Sequence, residues 1–188
     1  YGYYLNNTFD QYDYIGNPRL KNENAFELNG SYKRSMFNGK YSVLVDANAF
    51  FFNNYIIGQF ETRLCPMTVD AEGVKVYGNI NHATIANSSI TMEWNPIKKI
   101  RLTAKGSYSI GLDDEGEPLP LISPFSYSTR LTYDLGPFNL NTEVKGHTQQ
   151  SKNGKKYGEN KTNAWTICNL SATYVWRKTT LRAGVEIS

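Results

Sequence analysis

Alternation of apolar and polar residues, repeated along the whole chain, constrains the fold more than any other feature. In residues 27–33 and 41–51 every second side chain is apolar or small, and the pattern returns at 86–94 and 100–110. A period of two residues puts successive side chains on opposite faces of a β-strand. Helical periodicity is nearly absent, so the sequence predicts an all-β protein.

The predicted strands follow one another as antiparallel hairpins. The second half of the chain adds strands at 125–133, 138–146, 168–176 and 179–188. This makes about eight strands, and Asn38-Gly39 between the first two is a strong hairpin signal. Short turns fall near 35–39, 95–98, 134–137 and 177–178, and long polar loops fall near 53–77, 112–123 and 149–164. Short turns at one edge of a sheet and long loops at the other are typical of an outer-membrane β-barrel.

The two faces of the predicted sheet differ in charge. The apolar face carries no charged residue in any strand. The ionic side chains share the other face: Glu27, Lys33, Asp46, Glu93, Arg101, Lys105, Arg130, Glu143, Lys145, His147, Arg182 and Glu186. A soluble protein would turn the apolar face into its core, whereas a membrane barrel would turn it to lipid and line its lumen with the polar face.

Aromatic residues favour the membrane alternative. Four of them stand at the last apolar position before a short turn: Tyr32, Trp94, Tyr133 and Trp176. Phe138 follows a short turn, and the matching positions near the long loops hold Phe51, Tyr108 and Phe125. Two aromatic rows at the strand ends match the girdles of a membrane interface, whereas a core gains most by burying its rings centrally. We therefore expect an antiparallel transmembrane β-barrel.

Barrel closure suggests that strands beyond this sequence are needed. An open sheet in lipid would leave unpaired backbone groups, each at a cost of several kcal/mol. The last predicted strand ends at Ser188 without the terminal aromatic residue expected of a closing strand. We expect further strands to complete the barrel.

Composition and motifs exclude several classes of function. Twenty Lys and Arg against 17 Asp and Glu give a net charge of only +3, which disfavours nucleic acid as a partner. Cys65 and Cys168 form neither a metal-type spacing nor a disulfide framework. No nucleophile–base set, paired-carboxylate signature or Gly-rich phosphate loop is present, so we expect neither an enzyme nor a cofactor.

A few polar and sulfur-bearing residues are candidate ligand contacts. Cys65 and Met67 lie two residues apart in a long loop and could hold a copper ion, although ordinary loop packing is the alternative. His82 and His147 are the two histidines, and His147 lies on the lumen face near a loop, where it could touch a metal chelate or haem or serve only as a polar lining residue.

Two loop segments have compositions suited to ligands. The Tyr-rich opening of the chain, which includes Tyr12 and Tyr14, suits stacking on flat or sugar-like ligands, or ordinary loop packing. The basic segment 151–164 could attract anionic ligands or lipopolysaccharide phosphates, or could be a solvated tip.

A series of segments, in the order that the family has them, resembles the TonB-dependent outer-membrane receptors. "IGNPRLKNENAFELNGSYKR" is similar to the stretch that enters a mid-barrel strand, with Asn22-Glu23 where the family has Pro-Glu. "YGNINHATIANSSITMEWNP" resembles a family strand pattern, with Asn87 in place of the usual Gly. "EPLPLISPFSYSTRLTY" resembles a loop entering the next strand, with Ser123 in place of a Pro. "YGENKTNAWTICNLSATY" and "TTLRAGVEIS" match the last part of the barrel.

This resemblance implies a fold, a location and a function. Residues 1–188 would be the C-terminal portion of a barrel of roughly 22 strands, without its plug, earlier strands or last strand. The complete protein would take up a scarce nutrient across the outer membrane, with a siderophore, haem or another metal chelate as the leading class. Its partners would be TonB, acting through the absent plug region, outer-membrane lipid and lipopolysaccharide, and the chelate itself.

Other functions make different predictions. A complete small barrel with an adhesin or structural role would pair residues 27–33 with 179–188. A membrane-barrel hydrolase would need clustered acids and histidine, but Asp113, Asp114 and His147 are scattered in the sequence. A lipocalin-like binder would be soluble without detergent and would bury its apolar face.

Overall fold

The chain folds into one ten-stranded sheet. The computed structural model describes residues 3–7 and 11–187, with the backbone alone at 3–7. The strands are β1 (Tyr3–Asn7), β2 (Tyr12–Ile15), β3 (Asn24–Met36), β4 (Tyr41–Phe60), β5 (Gly73–Trp94), β6 (Ile100–Asp113), β7 (Ser126–Leu135), β8 (Phe138–His147), β9 (Trp165–Trp176) and β10 (Thr179–Ile187). One 3₁₀ turn, Lys155–Tyr157, interrupts the last long loop. The predicted all-β fold is confirmed.

Strands β3 to β10 form a continuous antiparallel meander. Each pairs with the next along the chain, and the register runs without a shift through every hairpin. The turn after β3 has left-handed backbone at Asn38 and Gly39, with φ of 54° and 80°. Glycine adopts such angles without steric cost, which explains the hairpin signal there.

Strands β1 and β2 add a short hairpin that the sequence pattern did not predict. β2 pairs in parallel with the first residues of β5, from Tyr12 opposite Gly73 to Ile15 opposite Val76. β6 pairs with β5 only from Ala83 onward. β2 therefore pairs with the part of β5 before Ala83, along the edge that β6 leaves open. The parallel pair is a local exception in an otherwise antiparallel sheet.

The sheet is open in the part of the chain that the structure describes. There β3 pairs only with β4, and β10 pairs only with β9. Residues 27–33 and 179–187 therefore do not form the ladder that a complete small barrel requires.

The register confirms that the ionic residues share one face of the sheet. Across β7 to β10, Arg130, Glu143, Asn169 and Glu186 lie side by side in one row. Arg130 bonds Glu143 at 2.7 Å. In β3 to β5 the same face carries bonds from Ser31 to Asp46 and from Asn87 to Asn48. We call this the polar face.

Apart from Arg34, which pairs with Val43 near the first short turn, the other face is apolar and exposed, and we call it the outer face. Trp94, Tyr133 and Trp176 lie on it with exposed side chains rather than converging on a dry interior. Phe138 stacks on Tyr174 with ring centroids 4.4 Å apart near the short turns. Aromatic rings at the strand ends with aliphatic residues between them fit a membrane-facing surface.

The segment 53–77, predicted to be a loop, is mostly strand. β4 continues to Phe60 and β5 begins at Gly73, so the connecting loop covers only 61–72. The Asn53-Asn54 pair breaks the alternation because Asn54 has a left-handed φ of 56°. On both sides of Asn54 apolar residues occupy the polar face, and the rings of Phe52 and Tyr55 contact each other with centroids 5.0 Å apart. Residues 53–60 and 73–77 were predicted to be loop because their alternation is interrupted at Asn54 and the loops cover their apolar side chains. Periodicity along a single strand does not reveal such a cover.

Candidate functional site

Two of the long loops fold back onto the polar face of the sheet. A small core forms there from Ile57 of β4, Ala83 of β5, Leu119 of the loop 114–125 and Tyr157 of the loop 148–164. Leu119 is completely buried, with 0% of its surface exposed. The partly buried residues around this core are Phe52, Tyr55, Ile80, Ile85 and Ile122. The ends of β4 and β5 thus serve as a wall against which the loops pack.

Asp113 shapes the first of these loops. Its Oδ1 accepts the backbone N–H groups of Glu115 at 2.9 Å and Glu117 at 2.8 Å. Gly116 closes the turn with a φ of 81°, a conformation that favours glycine. The backbone N–H of Leu119 then donates to the carbonyl of Gly111, which directs the leucine side chain towards the sheet.

The other carboxylate oxygen of Asp113 reaches the second loop. Asp113 Oδ2 accepts bonds from the Tyr157 hydroxyl at 2.7 Å and from Lys156 Nζ at 2.8 Å. Lys156 also donates to Glu115 at 2.8 Å. These two carboxylates raise the pKa of Lys156, and burial together with the Asp113 hydrogen bond raises the pKa of Tyr157.

Glu159 organises the second loop from within. Its Oε2 accepts the backbone N–H of Gly154 at 2.6 Å and the side-chain amide of Gln150 at 3.3 Å. Its Oε1 accepts the backbone N–H of Leu121 in the first loop at 2.9 Å. The side-chain amide of Asn153 donates to the Glu159 carbonyl at 2.6 Å. This loop is therefore packed and bonded rather than a simple solvated tip.

A second cluster lies where β2 joins the wall. The Lys75 ammonium, almost fully buried, sits 4.0 Å from the centroid of the Tyr12 ring and 5.4 Å from that of Phe60. Asp13 Oδ2 accepts the backbone N–H groups of Met67 at 2.6 Å and Thr68 at 2.9 Å. Cation–π contact and a carboxylate held by backbone donors fix β2 and the loop 61–72 to each other.

A cleft of about 340 Å³ is lined by residues of both the wall and the folded loops. Its inner side is built by Tyr14, Lys75 and residues 57–58, and its outer side by residues 120–121 and 157–162. Gly58 lets the Tyr14 ring lie close to β4, because a Cβ at residue 58 would stand only 2.7 Å from Tyr14 Cε1. The cleft presents the aromatic rings of Tyr14 and Tyr157 together with several hydrogen-bonding groups.

The structure places only some of the predicted ligand contacts near this cleft. Tyr14 lines it, and Tyr12 is buried beneath the ammonium group of Lys75, which also lines the cleft. His147 lies on the polar face at the end of β8, where its ring stands 4.8 Å from that of Trp165 in a groove shared with Lys105 and Lys145. His82 is exposed and contacts Asn53 Oδ1 at 2.9 Å. The two histidines are not brought together.

Cys65 and Met67 both lie exposed on the loop 61–72. Both cysteines are free, and Cys168 is exposed on the outer face. Within residues 11–187, no three His, Cys, Asp or Glu side chains are grouped as a metal centre would need.

Sequence reasoning missed the residues that hold the loops in place. The sequence pattern presents Asp113 only as a candidate catalytic acid. It presents Lys156 and Tyr157 only as members of a basic segment. One signal was available: Phe50, Phe52 and Ile85 are apolar at positions of the polar phase. Apolar residues in a lumen-facing phase indicate that another part of the chain covers them.

A family model described as "TonB dependent receptor-like, beta-barrel" matches residues 1–186. The chain belongs to this family. Barrels of TonB-dependent receptors lie in the outer membrane, and this is the location of the chain. The family and the similar solved structures are receptors and transporters, so the prediction that the chain is not an enzyme is confirmed.

Three solved structures illustrate the likeness of the fold. The copper transporter OprC has a TM-score of 0.77 at 18% identity, over 90% of this chain and 26% of its own. The ferric enterobactin receptor PfeA from Pseudomonas aeruginosa has a TM-score of 0.69 at 15% identity, over 93% and 27%. The siderophore receptor PirA from Acinetobacter baumannii has a TM-score of 0.67 at 13% identity, over 93% and 29%. The chain thus spans less than a third of the length of each.

No curated protein sequence matches the chain. Among the described residues, no helix combines the length and apolar character needed to cross a bilayer.

Proposed function

We propose that the complete receptor takes up a scarce nutrient across the outer membrane, with a siderophore, haem or another metal chelate as the leading class. The observation that carries this proposal is the inward fold of the loops 114–125 and 148–164 over the polar face. Loops that line a cleft at the mouth of a barrel are placed to capture a ligand before it enters the lumen.

The rest of the receptor is part of the proposal. Residues 1–188 would supply the C-terminal portion of a barrel of roughly 22 strands. The open edges of β3 and β10 support this, because unpaired backbone groups in lipid cost several kcal/mol each. A plug outside this chain would contact TonB, which supplies the energy for transport.

Ligand contacts are assigned by position relative to the cleft. Tyr14 would touch the ligand directly, and Tyr12 would support it from behind. His147 would act deeper, on the polar face beside Lys105 and Lys145. His82 would contact a ligand only outside the cleft. The exposed lysines of the loop 148–164 are the proposed contacts for lipopolysaccharide phosphates.

A copper ligand is the second candidate, favoured by the exposed sulfur atoms of Cys65 and Met67. Thiolate and thioether groups are soft ligands that suit Cu(I). OprC, whose fold resembles that of this chain, is a copper transporter. Asp13 holds the backbone of Met67 and Thr68, so the loop that carries both sulfur atoms is anchored.

Uptake by the full-length receptor tests the proposal. Cells lacking the receptor, cells expressing it, and the same cells without TonB would be given radiolabelled ferric catecholate, haem or copper. Uptake of one of these that requires both the receptor and TonB is expected. Equal uptake of every one of them with and without the receptor would overturn the proposal.

Two matched pairs of variants separate the ligand classes. Tyr14→Ala should weaken uptake of a chelate, whereas Tyr108→Ala, which removes a tyrosine from the outer face, should not. Cys65→Ser should weaken uptake of copper alone, with Cys168→Ser as its control.

A further inference from the structure

The loops 114–125 and 148–164 are bonded to each other although they belong to different hairpins. Asp113, at the base of the first loop, accepts bonds from Tyr157 and Lys156 of the second. Glu159 of the second loop accepts the backbone N–H of Leu121 in the first. The two loops are thus tied to each other at two separate points.

Close packing accompanies these bonds. The side-chain amide of Gln150, itself buried, donates to the carbonyl of Ile122 at 3.1 Å. Gly154 lets the two backbones meet, because a Cβ there would stand 2.5 Å from the backbone nitrogen of Pro120. Beneath them Leu119 and Tyr157 are buried against Ile57. The loops share one small core as well as a set of hydrogen bonds.

Asp113 and Glu159 each serve both loops at once, but only the side chain of Asp113 is fully buried. Oδ1 accepts the two backbone N–H groups that shape its own turn, and Oδ2 accepts both groups of the other loop. Its side chain is fully buried, with 0% of its surface exposed. If either loop moved alone, a buried carboxylate would lose part of its hydrogen bonding, which is costly.

We propose that Asp113 is a positioning residue that fastens the two loops into one body, so that neither loop moves relative to the cleft without the other. Its carboxylate couples the turn 113–117 to Lys156 and Tyr157. The outer side of the cleft, formed by residues 120–121 and 157–162, is then displaced as a unit. This inference goes beyond the proposed function, since it holds whatever the receptor transports.

Distances between spin labels on the full-length receptor test the coupling. The protein would be reconstituted in lipid vesicles with Cys65, Cys168 and any cysteine elsewhere in the receptor replaced by serine. Labels would be attached through Leu121→Cys on the first loop and Lys161→Cys on the second. A third site, Gln59→Cys at the exposed end of β4, reports the position of each loop relative to the wall.

The comparison is between Asp113→Asn and Asp114→Asn. Asp114 is an exposed neighbour in the same loop, so both variants remove one negative charge from the same place. We expect a narrow distance distribution between residues 121 and 161 in the unaltered receptor and in Asp114→Asn. In Asp113→Asn we expect this distribution to broaden about twofold, together with both loop-to-wall distances.

Two results would overturn the proposal. One is a broad distribution between the loops in the unaltered receptor. The other is identical distributions in Asp113→Asn and Asp114→Asn. No substrate is needed for these measurements, so a failed uptake assay would leave their outcome unaffected.

Folding of the variants is checked by heat-dependent migration of the barrel on gels. If Asp113→Asn does not fold, Lys156→Met replaces it, with Lys155→Met as its control. Lys156→Met removes one partner of Asp113 and leaves the turn 113–117 intact. If the distribution of distances between residues 121 and 161 broadens in Lys156→Met and not in Lys155→Met, the coupling is supported. If this distribution is the same in the two lysine variants, the coupling is refuted.

Discussion

The hydroxyl group of Tyr157 donates a hydrogen bond of 2.7 Å to Asp113 Oδ2, although 44 residues separate the two in the sequence. The bond joins the end of β6 to the loop between β8 and β9. It brings a buried aromatic ring and a buried carboxylate to the same place above the polar face. Through this contact the loop 148–164 is fastened to the end of β6.

Leu119→Ala should detach the first loop from the wall. Leu119 is fully buried in the shared core, so truncation removes apolar contacts and leaves a cavity, at a cost of about 2–5 kcal/mol. Because the loss is confined to the loops, the barrel strands should stay protected while amides of 114–125 exchange faster. Hydrogen exchange measured by mass spectrometry would show this.

Leu121→Ala is the control for Leu119→Ala. Its side chain lies in the same loop but is 78% exposed, so its truncation should change stability by less than about 0.5 kcal/mol. Equal exchange in the two variants would mean that the loop does not depend on the buried leucine.

Gly146→Ala should destabilise the pairing of β8 with its neighbours. A Cβ at residue 146 would overlap the backbone oxygen of Trp165, and the Tyr127 ring lies over the same position. Relieving this overlap requires backbone movement, at a cost of about 1–3 kcal/mol. Urea unfolding of the receptor in detergent micelles would measure the loss.

Gly30→Ala provides the comparison for Gly146→Ala. Gly30 also points to the outer face, but an added Cβ meets nothing within 4 Å. We expect the urea concentration at the unfolding midpoint to be unchanged in Gly30→Ala and lowered in Gly146→Ala. Two equal midpoints would show that the close approach to Trp165 carries no constraint.

Leu131→Arg should impair insertion of the barrel into lipid. Leu131 lies on the outer face of β7, where an arginine near the middle of the bilayer costs about 2–4 kcal/mol. Ser128→Arg puts the same side chain on the polar face of the same strand and should be tolerated. The folded fraction of each variant in lipid vesicles measures its insertion. A lower folded fraction in Ser128→Arg alone would reverse the assignment of the two faces.

The contact between the two loops should be insensitive to pH over the physiological range. The pKa values of Lys156 and Tyr157 are raised above their ordinary values of 10.5 and 10.0. A group with a raised pKa contributes stability that is fully present below its ordinary pKa and is lost as the pH rises through the raised one. The mobility of a spin label at residue 121 should therefore be constant from about pH 5 to about pH 9 and increase above about pH 10.

The variant Lys156→Met tests the origin of that alkaline change. Without the ammonium group, the label should already be more mobile at neutral pH. Lys155→Met, which removes a neighbouring lysine that does not bond Asp113 among the described contacts, should behave like the unaltered receptor. If the mobility of the label at residue 121 rose between pH 6 and pH 8 in the unaltered receptor, Lys156 and Tyr157 would not be the groups whose titration loosens the contact.

Strands, hairpins and faces were predictable because each depends on local pattern. The alternation in β6 and β8 sets which side chains share a face, and Asn38-Gly39 sets a turn, without reference to the rest of the chain. The aromatic residues at the strand ends were likewise predictable, because the position of a residue along its strand fixes its distance from the turns. The resemblance that rested on these segments was confirmed by the family match.

The arrangement of the candidate site was decided by tertiary structure. The continuation of β4 beyond Asn54, the parallel pairing of β2, and the bonds from Asp113 to Lys156 and Tyr157 all join parts of the chain that no local period relates. The sequence alone determined a sheet with one apolar and one polar face, because alternation is enforced residue by residue. Which loops turn inward depends on contacts between distant segments, and only the folded chain brings those together.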